Sequence, residues 1–146
     1  MGVILFKKES KLSNYYECKV KYKGMTFGSS EAAYQSQKIK GFDMQRKFMR
    51  LNPDESKKFA RKLKSEWRED WHTVKFEHMY WIVRNKMLSN QDCLEELLKT
   101  NRDEIIEDTT GWHDNVWGWC SCDKCKDKEH QNNLGKILMR VREELR

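Results

Sequence analysis

The chain has 146 residues, with 29 Lys and Arg against 23 Asp and Glu, and its formal net charge at pH 7 is +6. This length predicts one domain over residues 1–146, and the apolar stretches are too short and too often broken by charges to predict a transmembrane span. Because charges of both signs are interspersed, without a basic run or tail, the charge favours phosphate-bearing partners but does not by itself indicate a nucleic-acid-binding protein.

The beginning of the chain and the cysteines bear on its location. The first ten residues, MGVILFKKES, lack the basic start and the long apolar region of a secretion signal. Five cysteines are an odd number. Reduced thiols or metal ligands therefore explain them better than a disulfide framework, and we expect a cytoplasmic protein that does not enter a membrane.

The first part of the chain predicts short strands followed by helices. Val3–Phe6 reads as an apolar strand, and apolar residues alternate on both sides of Lys23-Gly24, which predicts a hairpin. Ser29 or Ser30 then caps a helix through Lys40, with Gly41 as its stop. A second helix is predicted over 42–51 and a third from Pro53 to about Lys64, capped by Asn52.

The longest helical pattern covers about 69–88 and has apolar residues on two sides, which predicts a central helix. Trp71, Val74, Trp81 and Ile82 form one side, with Phe76, Met79, Val83 and Met87 opposite. Later elements are a helix over 92–99, a strand at Ile105-Ile106 and a regular C-terminal helix from about Leu134. The predicted fold class is α+β, a mostly helical single domain with a small N-terminal antiparallel sheet.

The segment from Trp112 to Arg142 has the residue density of a functional site. Asp114, Trp117 and Gly118 stand together on a non-periodic stretch, which indicates the floor of a pocket or, as the plain alternative, a loop closed by a packed tryptophan. Asn133, Gly135 and Lys136 then open a helix whose unpaired backbone N–H groups could face a phosphate.

Three cysteines follow at short spacing, Cys120-x-Cys122-x-x-Cys125. With His113 or His130 as a fourth ligand they would suit a tetrahedral zinc ion, and such a closed site would be structural. The alternative is a set of free thiols in a polar loop.

Several short motifs, taken in chain order, resemble those of the NADAR (YbiA-like) family, whose members are N-glycosidases. These motifs are Ser13-Asn14-Tyr15, the stretch from Ser30 to Lys38, Arg61, Trp71, the stretch from Asp114 to Gly118, Asn133-Leu134-Gly135, Leu138-Met139 and Arg142. The resemblance covers the chain from about Phe6 to its end. It implies hydrolysis of the bond between a ribose-phosphate unit and a nitrogen, in a riboflavin-pathway intermediate or in ADP-ribosylated guanine.

The resemblance also implies roles for individual residues. It places the essential carboxylate at Glu31, a second acid at Asp114 and pocket tryptophans at Trp71 and Trp117. Asn14, Arg61, Gly118, Asn133, Gly135 and Lys136 would bind the substrate, and catalysis would need no cofactor.

The residue types suit this chemistry. Cleavage of an N-glycosidic bond passes through an oxocarbenium-like ribose, which two carboxylates can stabilise while they position water. Either acid could take either role. Tryptophan faces would hold the leaving base, and Arg61, Lys136 and the amides near Gly135 would hold phosphate.

Each residue also has a plain structural interpretation. Glu31 could merely favour the dipole of its helix. Trp71 and Tyr34 could be core residues, Gln35 could be a solvated polar residue, and Lys38 and Arg142 could lie on the surface.

The sequence therefore predicts an N-glycosidase for a phosphorylated ribosyl or ADP-ribosyl substrate, including ADP-ribosylated nucleic acid. One rival is a module that binds ADP-ribose or a nucleotide without turnover. The other is a small zinc-containing nucleic-acid-binding protein.

Overall fold

The computed structural model describes residues 2–146, which form short strands and mostly short helices. The strands are β1 (Val3–Phe6), β2 (Glu17–Tyr22), β3 (Met25–Ser29) and β4 (Glu104–Glu107). The α-helices are α1 (Ser30–Ser36), α2 (Phe42–Arg46), α3 (Pro53–Lys62), α4 (Trp71–Ser89), α5 (Gln91–Leu98) and α6 (Asn133–Leu145). Two 3₁₀ turns cover Lys47–Arg50 and Lys64–Glu66. Within this range, no helix combines the length and the apolar character needed to cross a bilayer.

The chain divides into two compact units. Asn14–Gln91 form one, called here the central unit, and the residues up to Ser13 together with Asp92–Arg146 form the other, the terminal unit. One domain over residues 1–146 stays a prediction.

The central unit contains the predicted hairpin. Strands β2 and β3 pair antiparallel, with Tyr22 opposite Met25, and the turn residues Lys23 and Gly24 have φ values of 49° and 79°. Glycine adopts this left-handed conformation without a steric penalty, which explains the position of the turn. Helix α4 packs on β2, and α1 packs on both α3 and α4.

Helix α1 ends earlier than the sequence predicts. Ser29 is its N-cap, but the regular helix stops at Ser36, and Gly41 precedes α2 instead of ending α1. Residues 38–40 leave the helix because they pair with the segment after α3: the Lys40 N–H donates to the Glu66 carbonyl, and the Arg68 N–H donates to the Lys38 carbonyl. Tertiary pairing thus outweighs the helical propensity of this segment.

The next helices follow the predicted cap signals more closely. The second predicted helix is an α-helical turn followed by a 3₁₀ turn. Helix α3 begins as predicted, with Pro53 in its first turn and a reciprocal capping box between Asn52 and Glu55. On α4 the prediction of an apolar side containing Trp81 was wrong, since Trp81 is 43% exposed whereas Trp71 is 3% exposed.

The terminal unit contains a second sheet that the sequence did not predict. Strand β1 pairs parallel with β4, with Val3 opposite Glu104 and Phe6 opposite Glu107. Helix α6 packs on β4. The N-terminal strand therefore belongs to a parallel pair whose partner lies about a hundred residues later, which local patterns cannot reveal.

Gly135 allows α6 to approach β4. A Cβ atom at this position would lie 2.1 Å from the Ile105 carbonyl oxygen and 2.4 Å from Asn132 Nδ2. The Asn132 side chain bridges the same strand, because its Nδ2 donates to the Ile105 carbonyl and its Oδ1 accepts from the Glu107 N–H. A side chain at Gly135 would therefore separate the helix from the strand.

We expect Gly135→Ala to lower the free energy of unfolding by about 1–3 kcal/mol, the usual cost of an overpacked core position. Urea unfolding measures this loss. Gly41→Ala is the matched control, because nothing lies within 4 Å of a Cβ atom there and its φ is −91°. Equal destabilisation of the two variants would contradict the steric explanation.

Candidate active site

Glu31 is held in the first turn of α1 by the elements around it. The Ser29 hydroxyl accepts the Ala32 N–H at 3.1 Å, and the Glu31 N–H donates to the Asn14 carbonyl at 3.0 Å. Glu31 is only 7% exposed. A carboxylate that served only the helix dipole would remain solvated, so this burial argues for a specific role.

The carboxylate of Glu31 has one hydrogen bond within α1. Gln35 Nε2 donates to Glu31 Oε2 at 2.6 Å, which the spacing of one helical turn allows. The same amide leaves its Oε1 buried without a hydrogen-bond partner, and Asn14 Oδ1 is in the same state. Buried acceptors of this kind normally have partners, so both oxygens are suited to hydroxyl or N–H donors of a ligand.

A cavity of about 400 Å³ lies in the central unit, and its lining includes Gln35, the residue that donates to the Glu31 carboxylate. Its lining is mostly basic and includes one aromatic ring and the amide that holds Glu31. The lining residues are Gln35, Lys38, Lys57, Arg61, Lys64 and Trp67. Four cations around one cavity favour an anionic ligand.

Two lysines of the cavity interact with the Glu31 carboxylate, and their pKa values shift in opposite directions. Burial lowers the pKa of Lys38 to about 8, although Glu31 raises it, and Lys57 and Arg61 lower it further. Burial also lowers the pKa of Lys57, but attraction to Glu31 and a hydrogen bond with Tyr15 outweigh it, so the pKa is raised. Lys57 therefore stays charged at neutral pH, while Lys38 lies close to titration.

Trp67 lines the cavity because the residues after α1 pair with the segment after α3. Ile39 forms an isolated bridge with Trp67, and the indole N–H donates to the Ala60 carbonyl at 2.8 Å. Lys38 Nζ lies 4.5 Å from the centre of the Trp67 ring, and Lys64 Nζ lies 6.0 Å from it. The indole therefore carries two cation–π contacts at the wall of the cavity.

Trp71 is part of the core of the central unit. Its ring centre lies 5.1 Å from that of Tyr34 and 5.9 Å from that of His78, which is stacked on it. His78 in turn lies 2.6 Å from the Tyr22 hydroxyl, and burial lowers its pKa to about 4. Trp71 thus joins α1 to α4, and its role as a stacking surface for a base stays a prediction.

Asp114 lies in the terminal unit and organises its own loop. Its Oδ1 accepts the N–H groups of Val116 and Trp117 at 3.0 and 2.9 Å, and its carbonyl accepts the Thr109 hydroxyl at 2.6 Å. These bonds match the short-range capping of a turn by aspartate. Its catalytic role stays a prediction, as does base stacking by the half-buried Trp117.

Gly118 has a packing role within the same unit. A Cβ atom there would lie 2.3 Å from Thr109 Cγ2 and 2.6 Å from the Glu107 carbonyl oxygen. Gly118 therefore allows the loop that contains it to pack closely against the end of β4.

The start of α6 is also already bonded. The N–H groups of Asn133 and Leu134 donate to the carbonyls of Val116 and Trp117 at 3.1 and 3.0 Å. The Lys136 N–H donates to the carbonyl of Asn132, the N-cap residue of α6. These amides have protein partners, so a phosphate held there as the sequence predicts would have to replace them. Binding of substrate by Asn133, Gly135 and the exposed Lys136 stays a prediction.

The three cysteines of the terminal unit form a cluster with His113. The Sγ atoms of Cys120, Cys122 and Cys125 lie 3.5, 3.3 and 3.5 Å from His113 Nδ1. Burial raises the pKa of Cys120. Hydrogen bonds with the backbone and side chain of Cys122 and with the side chains of Cys125 and His113 outweigh this effect and lower the pKa to about 6. His130 lies outside the cluster: its ring is stacked on Trp119, and its Nε2 lies 3.0 Å from the Cys120 carbonyl oxygen.

Some of these residues escaped sequence analysis. Arg61 was predicted, but Lys57, Lys64 and Trp67 were not. Lys57, Arg61 and Lys64 recur at intervals of four and three residues, so their common helical face was readable, whereas the inclusion of Trp67 depends on tertiary pairing. The surface interpretation of Arg142 was wrong. This residue is 4% exposed, and its Nη1 donates to Thr100 Oγ1 and to the Asp103 carbonyl.

The sequence model of the NADAR domain family matches residues 5–146, so the chain belongs to the NADAR domain family. It is 35% identical over 135 residues to a riboflavin biosynthesis protein of Vibrio vulnificus, covering 92% of this chain and 35% of the relative. An N-glycosidase of Nostoc punctiforme is 37% identical over 94 residues, covering 64% of this chain and 56% of the relative. The chain thus spans about a third and just over half of the lengths of these two relatives.

YbiA of Escherichia coli, named an N-glycosidase, is 28% identical over 91% of this chain and 79% of its own length. The NMR structure of YbiA has a TM-score of 0.82 at 26% identity and covers 99% of this chain and 84% of that chain. This likeness confirms the predicted mixed α+β, YbiA-like fold.

Proposed function

We propose that this chain is an N-glycosidase that hydrolyses the N-glycosidic bond of a phosphorylated ribosyl or ADP-ribosyl compound, with Glu31 as the catalytic carboxylate. The observation that carries the proposal is one buried carboxylate, held by Gln35 of a cavity that four cations also line. The names of the relatives from Nostoc and E. coli support the reaction class. The riboflavin biosynthesis relative supports a substrate from that pathway, and ADP-ribosyl compounds, including modified nucleic acid, follow from the family resemblance.

The reaction requires negative charge beside the anomeric carbon. Water adds to that carbon as the bond to nitrogen breaks, the bonding electrons leave with the base, and the base is released carrying a proton from the water. Glu31 would stabilise the positive ribosyl group or remove a proton from the attacking water. The unpartnered oxygens of Gln35 and Asn14 would accept bonds from ribose hydroxyls or from the water.

The cations would bind the phosphate end of the substrate. Lys57 and Arg61 lie one turn apart on α3, and Lys64 follows on the same side, so one phosphate or diphosphate could contact all three. This arrangement separates two tasks, because the positive residues hold the anion while the single carboxylate faces the sugar. Trp67, with its flat face at the cavity wall, would contact the base or the sugar.

Lys38 predicts a pH dependence of ligand binding. Its pKa of about 8 means that the ammonium loses its charge in mildly alkaline solution, while the raised pKa of Lys57 keeps that cation in place. We expect the affinity for ADP-ribose, whose diphosphate charge is constant in this range, to fall by up to about tenfold between pH 7 and pH 9. Isothermal titration calorimetry at several pH values measures this change.

Lys38→Arg is the matched variant for that experiment, because a guanidinium remains protonated throughout the range. The affinity of the variant should be nearly independent of pH. An equal decrease in both proteins would show that Lys38 is not the group that titrates.

The proposed activity is tested by incubating the protein separately with early riboflavin intermediates and with ADP-ribosylated DNA. Mass spectrometry should detect released ribose phosphate or ADP-ribose from one of them, and Glu31→Gln serves as the inactive control. Saturable binding without any release would support the rival interpretation as a binding module. Binding of unmodified DNA with a steep salt dependence would instead support a nucleic-acid-binding protein.

A further inference from the structure

The cysteine cluster of the terminal unit has the geometry of a metal site. The ligand atoms of His113, Cys120, Cys122 and Cys125 all lie within 4.8 Å of one another. In tetrahedral zinc sites the Zn–S distance is about 2.3 Å and the Zn–N distance about 2.0–2.1 Å, which places sulfur and nitrogen about 3.6 Å apart. The three observed distances of 3.3 to 3.5 Å agree with this arrangement.

Hydrogen bonding does not explain the cluster. One imidazole nitrogen has either one hydrogen or one lone pair, so Nδ1 of His113 can form one good hydrogen bond at a time. Three sulfur atoms nevertheless surround it at nearly equal distances. The three cysteines are also free thiols rather than partners in a disulfide. A shared cation satisfies all four groups together.

The backbone of the loop is folded so that these four side chains lie together. His113 has a φ of 58°, in the left-handed region, and its N–H donates to the Thr109 carbonyl. The Cys120 N–H donates to the Asn115 side chain, and a tight turn joins the Cys125 N–H to the Cys122 carbonyl. A left-handed backbone at a residue other than glycine carries strain, which functional geometry commonly explains.

We propose that His113, Cys120, Cys122 and Cys125 bind one structural Zn²⁺ ion. Three sulfurs and one imidazole suit zinc, which prefers four such ligands in a tetrahedron. Because the protein supplies all four, no coordination position remains for substrate, and the ion performs no step of hydrolysis. On binding, the three thiols lose their protons and the imidazole coordinates in its neutral form.

The ion would tie together the two ends of the loop that carries Asp114 and Trp117. Behind the cluster, His130 would act as a support, since its Nε2 donates to the carbonyl of the ligand residue Cys120. The metal would thus stabilise the segment from His113 to Cys125.

The test measures zinc in protein purified under reducing conditions without added metal. Elemental analysis should find about one zinc per chain, and Co²⁺ substitution should give the absorption bands of tetrahedral cobalt with thiolate ligands. Removal of the metal by a chelator should lower the melting temperature by about 5 °C or more. Metal-free protein that also fails to bind Co²⁺ would overturn the proposal, as would an intramolecular disulfide found by mass spectrometry.

Two histidine variants keep the test specific. His113→Asn removes the ligand and retains a residue that tolerates the left-handed backbone, so the zinc should be lost from a folded protein. His130→Asn should retain one zinc, because His130 contacts a carbonyl group rather than the ion. Loss of zinc from His130→Asn with retention in His113→Asn would contradict the assigned ligand set. None of these measurements depends on glycosidase activity.

Discussion

Glu31→Gln should still bind substrate while its single-turnover rate falls by about 10²-fold or more. The substitution preserves the shape of the side chain, and an amide oxygen can still accept the hydrogen bond from Gln35 Nε2. The fold should therefore persist. What disappears is the negative charge beside the developing ribosyl cation, which matters far more in the transition state than in the bound substrate.

Asp43→Asn is the matched control for this variant. Asp43 is an exposed acid in the first turn of α2, so its replacement removes the same helix-dipole interaction away from the cavity. A dipole role predicts only about 0.3–1 kcal/mol of lost stability at either position and no loss of rate. A folded Glu31→Gln protein with normal turnover would refute the catalytic assignment.

Trp71→Ala should lower the free energy of unfolding by about 3–5 kcal/mol, the usual cost of removing a large buried aromatic side chain. The indole contacts both Tyr34 of α1 and His78 of α4, so its loss should loosen the helix that carries Glu31. Chemical denaturation measures the stability of the variant, and the rate is then compared at a temperature where it is fully folded.

Trp81→Ala provides a comparison on the same helix. Trp81 is 43% exposed and donates a hydrogen bond to Glu77, so we expect its loss to cost well under half as much stability. If Trp71→Ala were as stable as Trp81→Ala, the packing role of Trp71 would be wrong. Trp71→Phe should retain most of the stability, since a smaller ring still fills much of the site.

Sequence patterns predicted those parts of the fold that depend on local chemistry. The hairpin around Lys23-Gly24, the helix cap at Asn52 and the amphipathic C-terminal helix each have a short-range cause, and each is present. The parallel pairing of β1 with β4 and the early end of α1 have long-range causes. No local periodicity encodes them.

The candidate site shows the same division. The catalytic role that the resemblance implies for Glu31 stays a prediction, and the resemblance could not reveal that Gln35 is buried and donates to that carboxylate. Lys57, Lys64 and Trp67 were missed because their meeting at one cavity depends on how α3 and the segment after it pack against α1. In the terminal unit, spacing alone left His113 and His130 as alternatives, and the three sulfur atoms lie 3.3 to 3.5 Å from His113 whereas His130 contacts the Cys120 carbonyl.

Hydrolysis in water enriched in ¹⁸O shows whether water attacks the substrate in the Glu31 site. If water attacks the anomeric carbon in the Glu31 site, the released ribose phosphate or ADP-ribose should carry one heavy oxygen when the reaction is quenched after a single turnover. Glu31→Gln should form this labelled product at least about 10²-fold more slowly. Unlabelled product would contradict attack by water on the anomeric carbon. Release of the base by Glu31→Gln at the rate of the unsubstituted protein would contradict the role of Glu31.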